Sequence, residues 1–185
     1  MKKLIICMLF MFILKSMDAQ DKFFTKSGKI TFDATAPKSP EEIMGMNKTV
    51  TCVLDTKTGN LQMAVLMKGF EFDRALMQEH FNENYVESHK FPKTEFRGAV
   101  VSGASVNYGK DGVYPVKVKG KLTMHGQTKE VETEGKLTIK NGKIQVQSVF
   151  TEPLADYAVG IPTLVADKIS KTVKITVDCL LEPLK

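Results

Sequence analysis

Val116, Val118 and Leu122 alternate with Lys117, Lys119 and Lys121 in one short run. In an extended chain successive side chains point to opposite faces, so a period of two gives one apolar face and one charged face. A helix cannot use this pattern, because residues two apart fall on different sides of its cylinder. A chain dominated by such runs must bury one face of a sheet, either against a second sheet or by closing the sheet on itself.

The pattern recurs along the chain. Phe23–Asp33 places Phe24, Ile30 and Phe32 on one face. After breaks at Pro37 and Pro40, Lys48–Asp55 sets Val50, Cys52 and Leu54 against Thr49 and Thr51. The turn cluster from Asp55 to Asn60 leads into Leu61–Phe70, where Leu61, Met63, Val65 and Met67 share a face, and the two runs read as a hairpin. Further runs are Thr94–Ser102, Val113–Leu122, Glu130–Ile139, Lys143–Thr151 and Lys171–Leu181, with the hairpin dipeptide Asn141-Gly142 between two of them. Residues 73–86 change period: Leu76, Met77, His80, Phe81 and Tyr85 recur at helical spacing behind Asp73 as N-cap. The expected fold is all-β, with eight antiparallel strands and one short helix inserted after the third. Eight strands can close into a barrel whose interior is filled or holds one small ligand, and closure removes the exposed edges. A two-sheet sandwich has the same local signature.

The chain has 185 residues and a formal net charge of +5. Lys2 and Lys3 precede the apolar run Leu4–Leu14, and Ala19 stands before Gln20. This reads as a signal peptide over residues 1–19, cleaved after Ala19, leaving one domain over residues 20–185. The apolar run is shorter than the roughly 20 residues that span a bilayer, so no stable membrane span is expected. The localisation that follows is periplasmic or secreted. Cys52 and Cys179 sit on apolar faces of their runs, which fits a bridge between them or two buried free thiols.

Two phrases carry a resemblance. In Glu79–Phe96, His80-Phe81 is followed by Tyr85-Val86 and then Phe91-Pro92 and Phe96. In Gly120–Lys129, Gly-Lys-Leu-Thr-Met-His-Gly-Gln-Thr-Lys stands almost letter for letter as a family phrase would. Their order and spacing resemble the YceI-like polyisoprenoid-binding family of exported, lipocalin-like barrels. The Arg-Asp pair of the first motif is replaced here by Met77-Gln78, and residues 153–170 are atypical. The resemblance implies the barrel over the sandwich, and a long lipid tail as ligand.

In such a barrel the inward positions include Phe24, Ile30 and Val50, and the lumen candidates for ligand contact are Phe32, Leu54, Met63, Val65, Phe96, Val118, Leu122, Ile144, Val146 and Phe150. The parity of the runs fits a solid core as well as a hollow one. Met44, Met46, Met63, Met67, Met77 and Met124 suit a pliable wall. The helix and its extension should cap one mouth, with His80, Phe81 and Tyr85 there. Residues 153–170, including Leu164, form either a lid over the other mouth or a packed crossover.

Little points to other chemistry. His80, His89 and His125 show no metal-ligand spacing, and no nucleophile elbow, phosphate loop or zinc-protease motif occurs, so no catalytic residue, metal or cofactor is expected. The lysines alternate along strands as solvated faces do, which speaks against nucleic acid. The expected function is sequestration of a long-chain isoprenoid or fatty lipid by a monomer or homodimer, without catalysis. Its rivals are a structural or interaction protein with a filled core, and a small enzyme at the barrel mouth using His80 or His125.

Overall fold

Two dipeptides, His125-Gly126 and Asn141-Gly142, hold consecutive residues at positive φ: 49° and 73° in the first, 51° and 71° in the second. That backbone matches the right-handed twist of flanking strands, so each dipeptide folds its neighbours into a tight hairpin. The computed structural model describes residues 21–102 and 105–184. Their strands are β1 (Lys22–Thr35), β2 (Met44–Asp55), β3 (Asn60–Leu66), β4 (Phe70–Glu71), β5 (Lys93–Val100), β6 (Gly112–Met124), β7 (Gln127–Lys140), β8 (Lys143–Pro153) and β9 (Ile169–Pro183). The wall runs β1-β9-β8-β7-β6-β5-β3-β2 and returns to β1, while β4 adds to β2. Every pairing is antiparallel, and eight strands close the barrel. The signal peptide expected over residues 1–19 lies outside the described residues.

Three local features depart from simple alternation. In β1, Thr25 faces Cys52 and Gly28 faces Val50, so β1 carries one extra residue there. This bulge reverses the parity of what precedes it. Phe23 and Thr25 therefore point inward with Ile30, whereas Phe24, expected inside, lies outside with the Lys26 ammonium 5.8 Å from its ring centre. A compensating bulge in β2, between Val50 and Asn47, turns Met44 and Met46 outward, so neither joins the wall expected of them.

The run expected as one strand over Leu61–Phe70 ends at Leu66. Asn47 is fully buried, and its Nδ2 donates to the Leu66 carbonyl at 2.9 Å while its Oδ1 accepts from the Thr49 N–H at 2.8 Å. The 3₁₀ turn Met67–Gly69 passes over this side chain; a Cβ at Gly69 would lie 2.7 Å from Asn47 Nδ2.

The helix α1 (Ala75–His80) continues as a π-helical turn over Phe81–Tyr85. Its N-cap position falls on Arg74, not Asp73, and no side chain caps it. Gln78 instead reaches back, its Oε1 accepting from the Phe72 N–H at 3.3 Å.

Consecutive strands of an up-and-down barrel run in opposite directions, so alternate connections share an end. The β1–β2, β3–β5, β6–β7 and β8–β9 connections therefore all gather at one mouth. Residues 153–170, expected either as a lid over the opposite mouth or as a packed crossover, lie at the same mouth as α1.

The other end is filled. Val50, Cys52, Leu54, Ile144, Cys179 and Leu181 are 0% exposed. Burying each Val, Ile or Leu side chain contributes about 1.5–3 kcal/mol. Cys52 and Cys179 are free thiols that meet across β1 at Gly28, where a Cβ would come within 2.5 Å of Cys179 Sγ.

Candidate functional site

Above that floor the barrel is hollow. A cavity of about 410 Å³ lies under the mouth, within the roughly 300–1,000 Å³ of small-molecule sites. The β1 residues Ile30 and Phe32 face it, as do Met63 and Val65 of β3 and Phe96 of β5. From β6 and β8 come Val118, Leu122, Val146 and Phe150. These are inward positions of alternating runs, and the barrel's curvature brings them around one space.

Glycine makes part of that space. Gly98 on β5 pairs with Gly120 on β6, and a Cβ at either would lie within 2.7 Å of the Phe96 ring. Two adjacent inward positions without side chains let that ring lie against the wall instead of filling the lumen.

Four aromatic rings meet at the mouth. Phe81, on the π-helical turn, stacks on Phe32 at 5.1 Å and meets Phe72 at 5.0 Å and Phe70 at 5.4 Å. Such pairs add about 0.5–1.5 kcal/mol each beyond their burial. By contrast, no residue of α1 itself is buried. The helix is held by Phe81 at one end and by an ion pair between Arg74 and Glu41 at the other. His80 and Tyr85 stand on the cavity rim beside it.

A second closure occupies a gap in the wall. The β7–β8 ladder stops at Gly135 and Ser148, and toward the mouth the two strands are unpaired. Tyr157, fully buried, packs there with Leu122, Val131 and Val159. Its hydroxyl donates to Glu152 Oε2 at 3.1 Å. Burial, then the Glu152 charge, pushes the phenol far above its ordinary range, and burial also raises the Glu152 carboxyl.

His125 ties these closures together. Its Nδ1 lies 3.0 Å from the Tyr157 carbonyl oxygen, its Nε2 lies 3.0 Å from Glu87 Oε2, and its ring meets Phe91 edge-on at 4.5 Å. Glu87, at φ 42°, sits just past the π-helical turn. Its carboxyl is held below the usual range by hydrogen bonds from Lys90 and then His125.

Three expected site residues lie elsewhere. Leu54 and Ile144 point inward but form part of the floor, below the cavity. Leu164 is 90% exposed, because the 3₁₀ turn Thr163–Val165 turns only Val165 toward the cavity. Met67 lines the wall as expected, whereas sequence reading missed Val116, Leu137 and Val177 there, although all three had the correct parity. It had no signal for Tyr157, whose run does not alternate. Among the described residues no three His, Cys, Asp or Glu side chains converge as a metal site, and no helix is long and apolar enough to cross a membrane.

The architecture defines a class, closed eight-stranded antiparallel barrels with an apolar pocket beneath a capped mouth. Within it, the chain belongs to the YceI-like family, whose domain matches residues 10–181. It is similar in fold to a polyisoprenoid binding domain from Saccharophagus degradans, with a TM-score of 0.76 and 16% identity over 89% of this chain and 99% of that one. BcnA from Burkholderia cenocepacia is similar at a TM-score of 0.66 and 15% identity, covering 83% of this chain and 95% of that one. A YceI protein of Campylobacter jejuni gives 0.56 and 13%, covering 74% and 82%. No curated protein matches the sequence.

Proposed function

We propose that this protein binds a long-chain isoprenoid or similar apolar lipid in the cavity, reversibly and without making or breaking a bond, and that it does so after export. The observation that carries the reading is the cavity of about 410 Å³ enclosed by apolar side chains from most of the barrel strands. A filled core would leave no such space, so the rival structural role has less support. Family membership and the fold shared with a polyisoprenoid binding domain point the same way.

Burying each methylene is worth roughly 0.8 kcal/mol, so a prenyl tail brings ample driving force without an elaborate headgroup site. Desolvation and the ordering of a flexible chain then reduce the net affinity well below that gross sum.

The enzyme reading needs His80 or His125 beside a carboxylate in a cleft; His80 stands on the cavity rim, and it is His125 that lies beside a carboxylate. Both of its ring nitrogens are occupied, by Glu87 and by the Tyr157 carbonyl, and neither faces the cavity. The arrangement supports a structural role for this histidine.

The test is organic extraction and native mass spectrometry of protein purified from its own host, with thermal melts in added prenyl lipid. Bound lipid and a higher melting temperature are expected. No lipid and no shift would overturn the reading.

A further inference from the structure

The cavity stops partway along the strands. Val116 lines it, and Tyr114, the next inward residue of β6, does not. The same step separates Val146 from Ile144 on β8, and Val177 from Cys179 on β9. Below that level the interior is solid: Ile144 and Cys179 are 0% exposed, and the fully buried Leu54 and Leu181 close the same layer. Close-packed interiors resist insertion of even a few methylenes, so this layer is a fixed wall and not a compliant one. The opposite end is different. There α1 buries no side chain, and one ion pair and the Phe81 cluster hold it.

We infer that this floor sets the longest hydrocarbon tail the lumen accepts, which makes Val116, Val146 and Ile144 specificity-determining residues for tail length. The inference rests on the lipid-binding reading above. A tail enters from the mouth, because the far end is closed. Each added isoprene unit gains affinity while it displaces water from the wall. Once the tail touches the floor, further units stay at the mouth in water and gain little.

The test uses geraniol, farnesol, geranylgeraniol and solanesol, measured by displacement of an apolar fluorescent dye. Wild-type affinity should tighten about tenfold or more per isoprene unit among the short alcohols. It should change by less than about twofold per unit beyond a break. Val116→Phe raises the floor and should move the break to a shorter chain; Ile144→Ala lowers it and should move the break to a longer one. Melting curves identify the folded variants, and if Ile144→Ala does not fold, Val146→Phe gives a second, independent raising of the floor from β8 and should likewise move the break to a shorter chain. Affinity that climbs without a break through solanesol, or a break that stays in place in the folded variants, overturns the floor as a ruler. If no alcohol displaces the dye from wild type, the binding reading itself fails and the ruler with it.

Discussion

His125 Nε2 lies 3.0 Å from Glu87 Oε2, and this contact joins the β6–β7 turn to the segment that follows the helical cap. Through its other nitrogen the same imidazole holds the β8–β9 connection at Tyr157. Three of the four connections at the mouth thus meet on one side chain that is 10% exposed.

Replacing His125 should therefore loosen the mouth more than the barrel. His125→Ala leaves a buried carbonyl without its partner, a loss of about 1–3 kcal/mol. Hydrogen exchange should quicken at residues 81–91 and 154–159 while the floor strands stay protected. Equal acceleration in both regions would contradict this role.

Acid should act on the mouth through two carboxyls with opposite signs. Glu87 is lowered in the fold by Lys90 and His125. Its contribution is complete above the unfolded carboxylate value and is lost as pH falls through the lower folded value. Glu152 is raised by burial. The stability linked to its protonated form is present below the unfolded value and lost as pH rises through the folded one. Glu87→Gln should thus melt below wild type at neutral pH, and Glu152→Gln above it. Both differences should shrink on acidification, as read from melting temperatures across pH.

Phe81 is the chief apolar anchor of the cap. Phe81→Ala should cost about 3–5 kcal/mol if the site behaves as a packed core. It should also release bound prenyl lipid faster than wild type, measured by transfer to vesicles after normalising for the folded fraction. Phe81→Leu should restore much of both properties. Unchanged release from folded Phe81→Ala would show that the cap does not gate the cavity.

The floor thiols should be silent. Hydrogen bonding to Cys179, and then burial, pushes the Cys52 thiol well up; the same hydrogen bond lowers Cys179, so what keeps both sulfurs from reagent is their complete burial. Reduced, folded protein should not react with a thiol reagent near neutral pH, and Cys52 and Cys179 should both react once it is denatured. Rapid labelling of the folded protein would mean the floor opens.

Much of this protein was legible in the chain itself. Alternation at Val116–Leu122 and its counterparts gave eight strands, because a sheet with one wet face needs a period of two. Asn141-Gly142 fixed a turn, because few residues tolerate positive φ. The shared mouth of residues 73–86 and 153–170 was open to the same reasoning, since alternate connections must share an end, yet the sequence reading set the second segment at the other mouth.

Tertiary structure alone decided the rest. The bulges in β1 and β2 turned Phe24, Met44 and Met46 outward, and no local pattern announces an extra residue that only cross-strand pairing reveals. Periodicity states which face is apolar but not how far apart opposing faces stand. Leu54 and Ile144 became floor while Val65 and Phe150 became wall because of where closure, the Gly98–Gly120 pair and the packing around Tyr157 leave volume unfilled. That is a property of the whole barrel and of no single strand.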